Sequence, residues 1–171
     1  VRSSDNKLKT LLLQSGLEPE DFGVPLRNIR ADVAIFREKN LPLLAEEGRL
    51  HMEYDKINGA QTVEWDGEER TLVQMRPLLE EHDRAIREKA WRLAEDRRTQ
   101  DRDAYNDLWQ RYMDVRGRIA KNADQPDYRA YMWQAMHRMD YTPEDAVSFC
   151  DAIAEVVVPL ASEIYQRRAE R

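Results

Sequence analysis

Three histidines and one cysteine carry the metal-binding and nucleophilic potential of this 171-residue chain, and their spacing argues against a helical metal site. A zinc helix of the His-Glu-x-x-His kind sets two imidazoles one turn apart, with a glutamate beside the first to activate water. His51, His82 and His137 are followed by Met52, Asp83 and Arg138, and none has a second histidine four residues on. His51 and Glu53 are two residues apart, which points them to different faces of a helix. His82 opens a charged helix start and reads as solvated. His137 reads as a surface or half-buried structural group, the alternative being one that tunes a pocket. Cys150 stands among apolar residues with no histidine partner and reads as a small core residue. No catalytic residue and no metal site is expected in this chain.

The elements that would position these groups are helical, with one exception. Leu8, Leu11 and Leu12 predict a helix over about residues 5–14, ended by Gly16. Pro25, with Ile29, Val33 and Phe36, predicts a second over 25–39. Asn40-Leu41-Pro42 breaks the chain, and a third helix over 42–57 is closed by Asn58 and Gly59. Residues 62–73 alternate as a β-hairpin around Asp66-Gly67. A two-residue loop there would face Glu64 with Glu69, so charge predicts a four-residue loop pairing Val63 with Leu72 and Trp65 with Arg70.

Residues 73–121 read as one long helical tract, bent near Pro77 or at its charged centre. Segment 95–103 has no apolar residue, and it is either solvent-bridging helix, laced by pairs such as Glu88 with Arg92, or a loop. Continuity is the favoured reading because Gly and Pro are absent. Thr142, Pro143, Glu144 and Asp145 form a strong helix start. Beyond it, Val147, Cys150, Ala154, Val157 and Ala161 make one stripe and Phe149, Ile153, Val156 and Leu160 another. Such a helix is expected to lie buried between neighbours, bent by Pro159. The fold class is mainly α: an elongated antiparallel bundle of long helices with one β-hairpin.

Composition narrows the partners. Charged residues make up 35% of the chain, which suits long exposed helices, and the net charge of −6 argues against binding a phosphate backbone. Neither nucleic acid nor membrane is expected as a partner. The most apolar run, residues 152–161, contains Glu155 and Pro159 and is too short to span a bilayer. The N-terminus lacks a signal-peptide core, and one cysteine cannot build a disulfide framework, so a cytoplasmic setting is expected.

Four stretches in order carry a family likeness: NLPLLAEE with EYDKINGAQTVEWDGEERTL, then HDRAIREKAW, RGRIAKNADQPDYRAYMWQ and HRMDYTPEDAVSFCDAIAEVVVPL. Over residues 40–168 the chain resembles the portion of oligoendopeptidase F and thimet oligopeptidase type zinc peptidases that precedes their catalytic motif. Asp124 departs from the family, which is expected to carry Gly there. Residues 1–39 match poorly and are expected to be a divergent helical arm, with 40–171 the helical scaffold, the whole forming one structural unit.

The resemblance implies a fragment of a zinc-dependent hydrolase of short peptides, inactive by itself, with zinc in the full-length parent and no cofactor in this chain. It implies that Tyr128, Tyr131, Trp133, Arg138 and Tyr141 line a peptide channel, where an arginine among tyrosines could hold a carboxylate or carbonyl. Met132, Met136 and Met139, with Trp133 and Tyr131, read as an adaptable channel surface or equally as core filler, and Arg138 could instead pair with Asp140. Exposed apolar helix faces imply a homo-oligomer. The alternatives are a stand-alone helical interaction module built on the same scaffold, and a small metal-binding or hydrolytic protein.

Overall fold

A computed structural model describes residues 2–170. The order is α1 (Arg2–Ser15), α2 (Gly23–Ile35), α3 (Leu41–Gly59), β1 (Thr62–Trp65), β2 (Glu68–Thr71), α4 (Arg84–Gln100), α5 (Arg102–Asn122), α6 (Tyr128–Ala135), α7 (Pro143–Ala152) and α8 (Val158–Ala169). Short 3-10 turns cover Glu38–Asn40 and Arg76–Glu80, and a π segment covers Ile153–Val157. The fold is mainly α with one antiparallel hairpin. The chain divides into two units, one of residues 2–5 and 36–128, the other of residues 6–35 and 129–170.

In the first unit α3 packs along α5. The spacing of Leu108, Tyr112, Val115 and Ile119 puts one face of α5 in the core, and Leu43 and Leu50 do the same for α3. Burying each such aliphatic side chain is worth about 1.5–3 kcal/mol. Asn40 is polar and buried, but its Nδ2 donates to the Ile119 carbonyl at 3.0 Å and its Oδ1 accepts from Asn122 at 2.7 Å. A second apolar cluster joins the hairpin to α4: Val63, Trp65, Met75 and Ala90, with Ile86 and Leu93 against them. Lys89 seals it, with Nζ 4.3 Å from the Trp65 ring centre and 3.2 Å from Asp66 Oδ1.

The hairpin loop is two residues long, not four. Glu64 pairs with Glu69 and Trp65 with Glu68. Asp66 and Gly67 have φ of 54° and 84°, the two left-handed conformations of a type I′ turn, whose twist suits the flanking strands. That geometry outweighs the repulsion of two exposed carboxylates, worth about 0.2–1 kcal/mol. Thr62 Oγ1 also donates to Glu69 Oε1 at 2.6 Å.

Two helix boundaries differ from the periodicity. The second helix ends at Ile35, because Arg37 is extended (φ −139°, ψ 126°) and its guanidinium reaches Asp124 at 2.8 Å. The long tract is not continuous. Pro77 sits in a 3-10 turn, Asp83 caps α4 by accepting from the Ala85 amide at 2.8 Å, and Asp101 separates α4 from α5 with ψ near 6°. The Asp101 carboxylate is held by Gln61 and Arg97, each at 2.8 Å, so tertiary contacts set this break without Gly or Pro. Glu88 and Arg92 pair as expected.

Thr142 and Asp145 close a full capping box at the start of α7. Ahead of Pro159 the helix widens: the Val158 amide bonds to the Ile153 carbonyl five residues back, which accommodates the missing proline donor. The apolar stripes are not buried. No described residue of α7 or α8 is buried, Phe149 and Val156 are each 68% exposed, and Cys150 is exposed instead of forming core. An apolar pattern states that a face needs cover, and nothing among the described residues covers this one.

Candidate functional site

Among the described residues no group of three His, Cys, Asp or Glu side chains converges to hold a metal ion. His51 Nε2 lies 3.7 Å from Asp55 Oδ2 on the exposed side of α3. His137 Nε2 lies 2.8 Å from Asp32 Oδ1, and the His82 carbonyl accepts from Arg87 at 2.9 Å. A zinc site takes three or four such donors at about 2.0–2.3 Å. These pairs offer at most two, so the residues present do not fit the ion, and no hydrolytic step is built on them.

Four of the five channel candidates fall in two places, and the fifth, Tyr131, is buried. Tyr128 opens α6, and its hydroxyl donates to Glu47 Oε1 at 2.8 Å. Arg116 stacks over Tyr128 at 5.0 Å and over Tyr112 at 4.4 Å, while its Nε donates to the same Glu47 oxygen at 2.7 Å. Burial disfavours the Arg116 charge, but the Glu47 hydrogen bond and the tyrosines leave its pKa raised. Burial likewise raises Tyr112. This is an ion-pair and ring-contact cluster within the first unit.

In the second unit Trp133, Arg138 and Tyr141 come together, as their candidacy requires. The Trp133 and Tyr141 rings meet edge to face at 5.2 Å, and Trp133 Nε1 donates to the Tyr141 carbonyl at 3.3 Å. The Arg138 guanidinium lies 5.0 Å over the Trp133 ring. It does not pair with Asp140, because Arg27 on α2 takes that carboxylate at 2.8 Å. A guanidinium over an indole can still direct N–H donors to a carboxylate or carbonyl. Tyr131 is buried and Tyr141 exposed; Met132 and Met139 are half-buried and Met136 exposed.

Sequence reasoning missed the polar partners of α5. Glu47 and Arg116 are 69 residues apart, and no local pattern joins them. Trp109 was also unremarked, although it follows the stripe residue Leu108 and stands 57% exposed; a tryptophan one step off an apolar stripe is the signal that could have found it.

The profile of peptidase family M3 matches residues 77–171. Among solved structures, PZ peptidase A with an inhibitor is similar at 22% identity and a TM-score of 0.93, over 99% of this chain and 31% of that one. A protein assigned as oligoendopeptidase F from Bacillus anthracis strain Ames gives 20% and 0.89, over 99% and 32%. Another assigned oligoendopeptidase F gives 21% and 0.85, with the same coverage. At these identities the likeness is one of fold. The chain spans about a third of the length of each of these structures. No curated protein matches it.

Proposed function

The chain belongs to peptidase family M3, and from that premise we propose that it is the helical scaffold of a zinc-dependent oligoendopeptidase whose hydrolytic centre lies in protein beyond these residues. The observation that carries this reading is the uncovered apolar face of α7 and α8. Phe149, Val156, Val157 and Leu160 are each more than half exposed within the segment that the family profile matches. Exposed patches of this kind mark surfaces that meet other protein, and the similar structures are three times as long. That no three metal donors converge among the described residues supports placing zinc elsewhere.

In this reading the Trp133, Arg138 and Tyr141 cluster meets the peptide. The indole offers an apolar shelf, and the guanidinium offers donors to a backbone carbonyl or terminal carboxylate. The whole protein then acts on short peptides, needs neither nucleic acid nor membrane, and works in the cytoplasm. No described helix is long and apolar enough to cross a membrane. The test is a Trp133→Ala and Arg138→Gln pair made in the full-length protein, assayed on an internally quenched peptide. KM is expected to rise severalfold for each with the bound zinc unchanged. Unaltered KM for both would remove the cluster from the substrate path.

A further inference from the structure

A groove between α3 and α5 in the first unit contains two adjoining cavities of about 630 and 420 Å3, which share Tyr54, Tyr105 and Asn106. Tyr105 and Trp109 follow one another on α5 at an interval of four, which sets both rings on one face, while Tyr112 at the far end is buried. At 1.5 Å of rise per residue that shelf is about 6 Å long, the reach of about two extended peptide residues. Trp109 is open to solvent on it.

The charges are one-sided. Among the described residues no Asp or Glu lines either cavity, in a chain with 33 acidic and 27 basic residues. Three arginines do. Arg98 is engaged by Glu95, and Arg116 by Glu47. The Arg102 side chain makes no ion pair or hydrogen bond with any described residue. Below it the polar floor is already satisfied: Gln61 donates to Asp101 at 2.8 Å and to Tyr105 at 3.2 Å, and the Tyr105 hydroxyl donates to Asn58 at 2.7 Å. The groove therefore offers aromatic area, one uncommitted guanidinium and no site that demands a cation.

We propose that this groove binds an extended acidic peptide, with apolar side chains on Trp109 and Tyr105 and a carboxylate on Arg102. The inference stands on the groove and not on the scaffold reading, since binding here needs neither zinc nor hydrolysis. Isothermal titration of the chain with Ac-Leu-Phe-Glu-Glu-NH2, Ac-Leu-Phe-Gln-Gln-NH2 and an octauridylate tests it. The acidic peptide is expected to bind about tenfold more tightly than its glutamine counterpart, the effect of one charged hydrogen-bonded pair, and added salt narrows that gap. Arg102→Gln brings the two peptides within about twofold of each other, Arg102→Lys keeps the preference for acid, and Trp109→Ala weakens both. Both side chains are exposed, so melting curves of these variants should overlay that of the parent chain. Equal binding of the two peptides, no binding of either, tighter binding of the octauridylate, or an unchanged preference in Arg102→Gln would each overturn the proposal.

Discussion

His137 Nε2 lies 2.8 Å from Asp32 Oδ1, and Lys9 Nζ donates to the other carboxylate oxygen at 2.9 Å. One carboxylate thus joins α1, α2 and the turn after α6. Partial burial pushes the Asp32 pKa up, but the hydrogen bonds and charges of Lys9 and His137 prevail and leave it lowered. A lowered folded value gives stability that is present above the ordinary carboxylate pKa of about 4 and is lost as pH falls through the folded value. Asp32→Asn is expected to cost about 1–2 kcal/mol at neutral pH. Urea unfolding of parent and variant from pH 7 to pH 2 checks this: the gap should close in acid, and a gap that stays constant would contradict it.

The hairpin offers a second test, because its register sets two carboxylates face to face. Glu64→Lys should stabilise by about 0.2–1 kcal/mol, turning the Glu64 and Glu69 repulsion into attraction. Gly67→Ala should destabilise by about 1 kcal/mol or more, since φ of 84° suits glycine. Thermal melts compare them, and a destabilising Glu64→Lys would argue for the four-residue loop.

Asp124, where the family resemblance led to the expectation of Gly, offers a third test. Its φ of 57° lies in the left-handed region, and its carboxylate pairs with Arg37. Glycine relieves the backbone but loses an exposed, solvent-screened ion pair, so Asp124→Gly should leave stability close to that of the parent. Asp124→Val should cost about 1–3 kcal/mol, because β-branched residues resist this conformation. Chemical denaturation that ranks the two alike would show that the backbone is not the constraint.

The sequence was most legible where structure is local. The Thr142 to Asp145 capping box, the Pro42 helix start and the Glu88 and Arg92 pair all depend on residues within one turn. It was least legible where distant residues decide. The break at Asp101 is held by Gln61, and the end of α2 goes with Arg37 reaching Asp124. Hairpin charge was a real signal but a weaker one than turn twist. At the site, Trp133, Arg138 and Tyr141 became candidates only through the family resemblance, since spacing alone favoured core, and the Glu47 partner of Tyr128 lies 81 residues away. The stripes of α7 and α8 were legible as apolar, and their exposure agrees with the expectation that this chain leaves apolar helix faces uncovered.

That uncovered face leads to a fourth prediction. The isolated chain should self-associate through α7 and α8, and Phe149→Asp with Val156→Asp should return it to a monomer without loss of helix, since both positions are exposed. Light scattering at high concentration decides, and a clean monomer of the parent chain would count against it.

The central claim is that these residues supply scaffold to a hydrolysis they do not perform. The most direct measurement is cleavage of an internally quenched peptide, with zinc content, by the isolated 171-residue chain beside the full-length protein. The expected result is no cleavage and no stoichiometric zinc in the chain, with chelator-sensitive cleavage by the full-length protein. About one zinc per isolated chain, with chelator-sensitive cleavage abolished by His137→Ala, would contradict the claim.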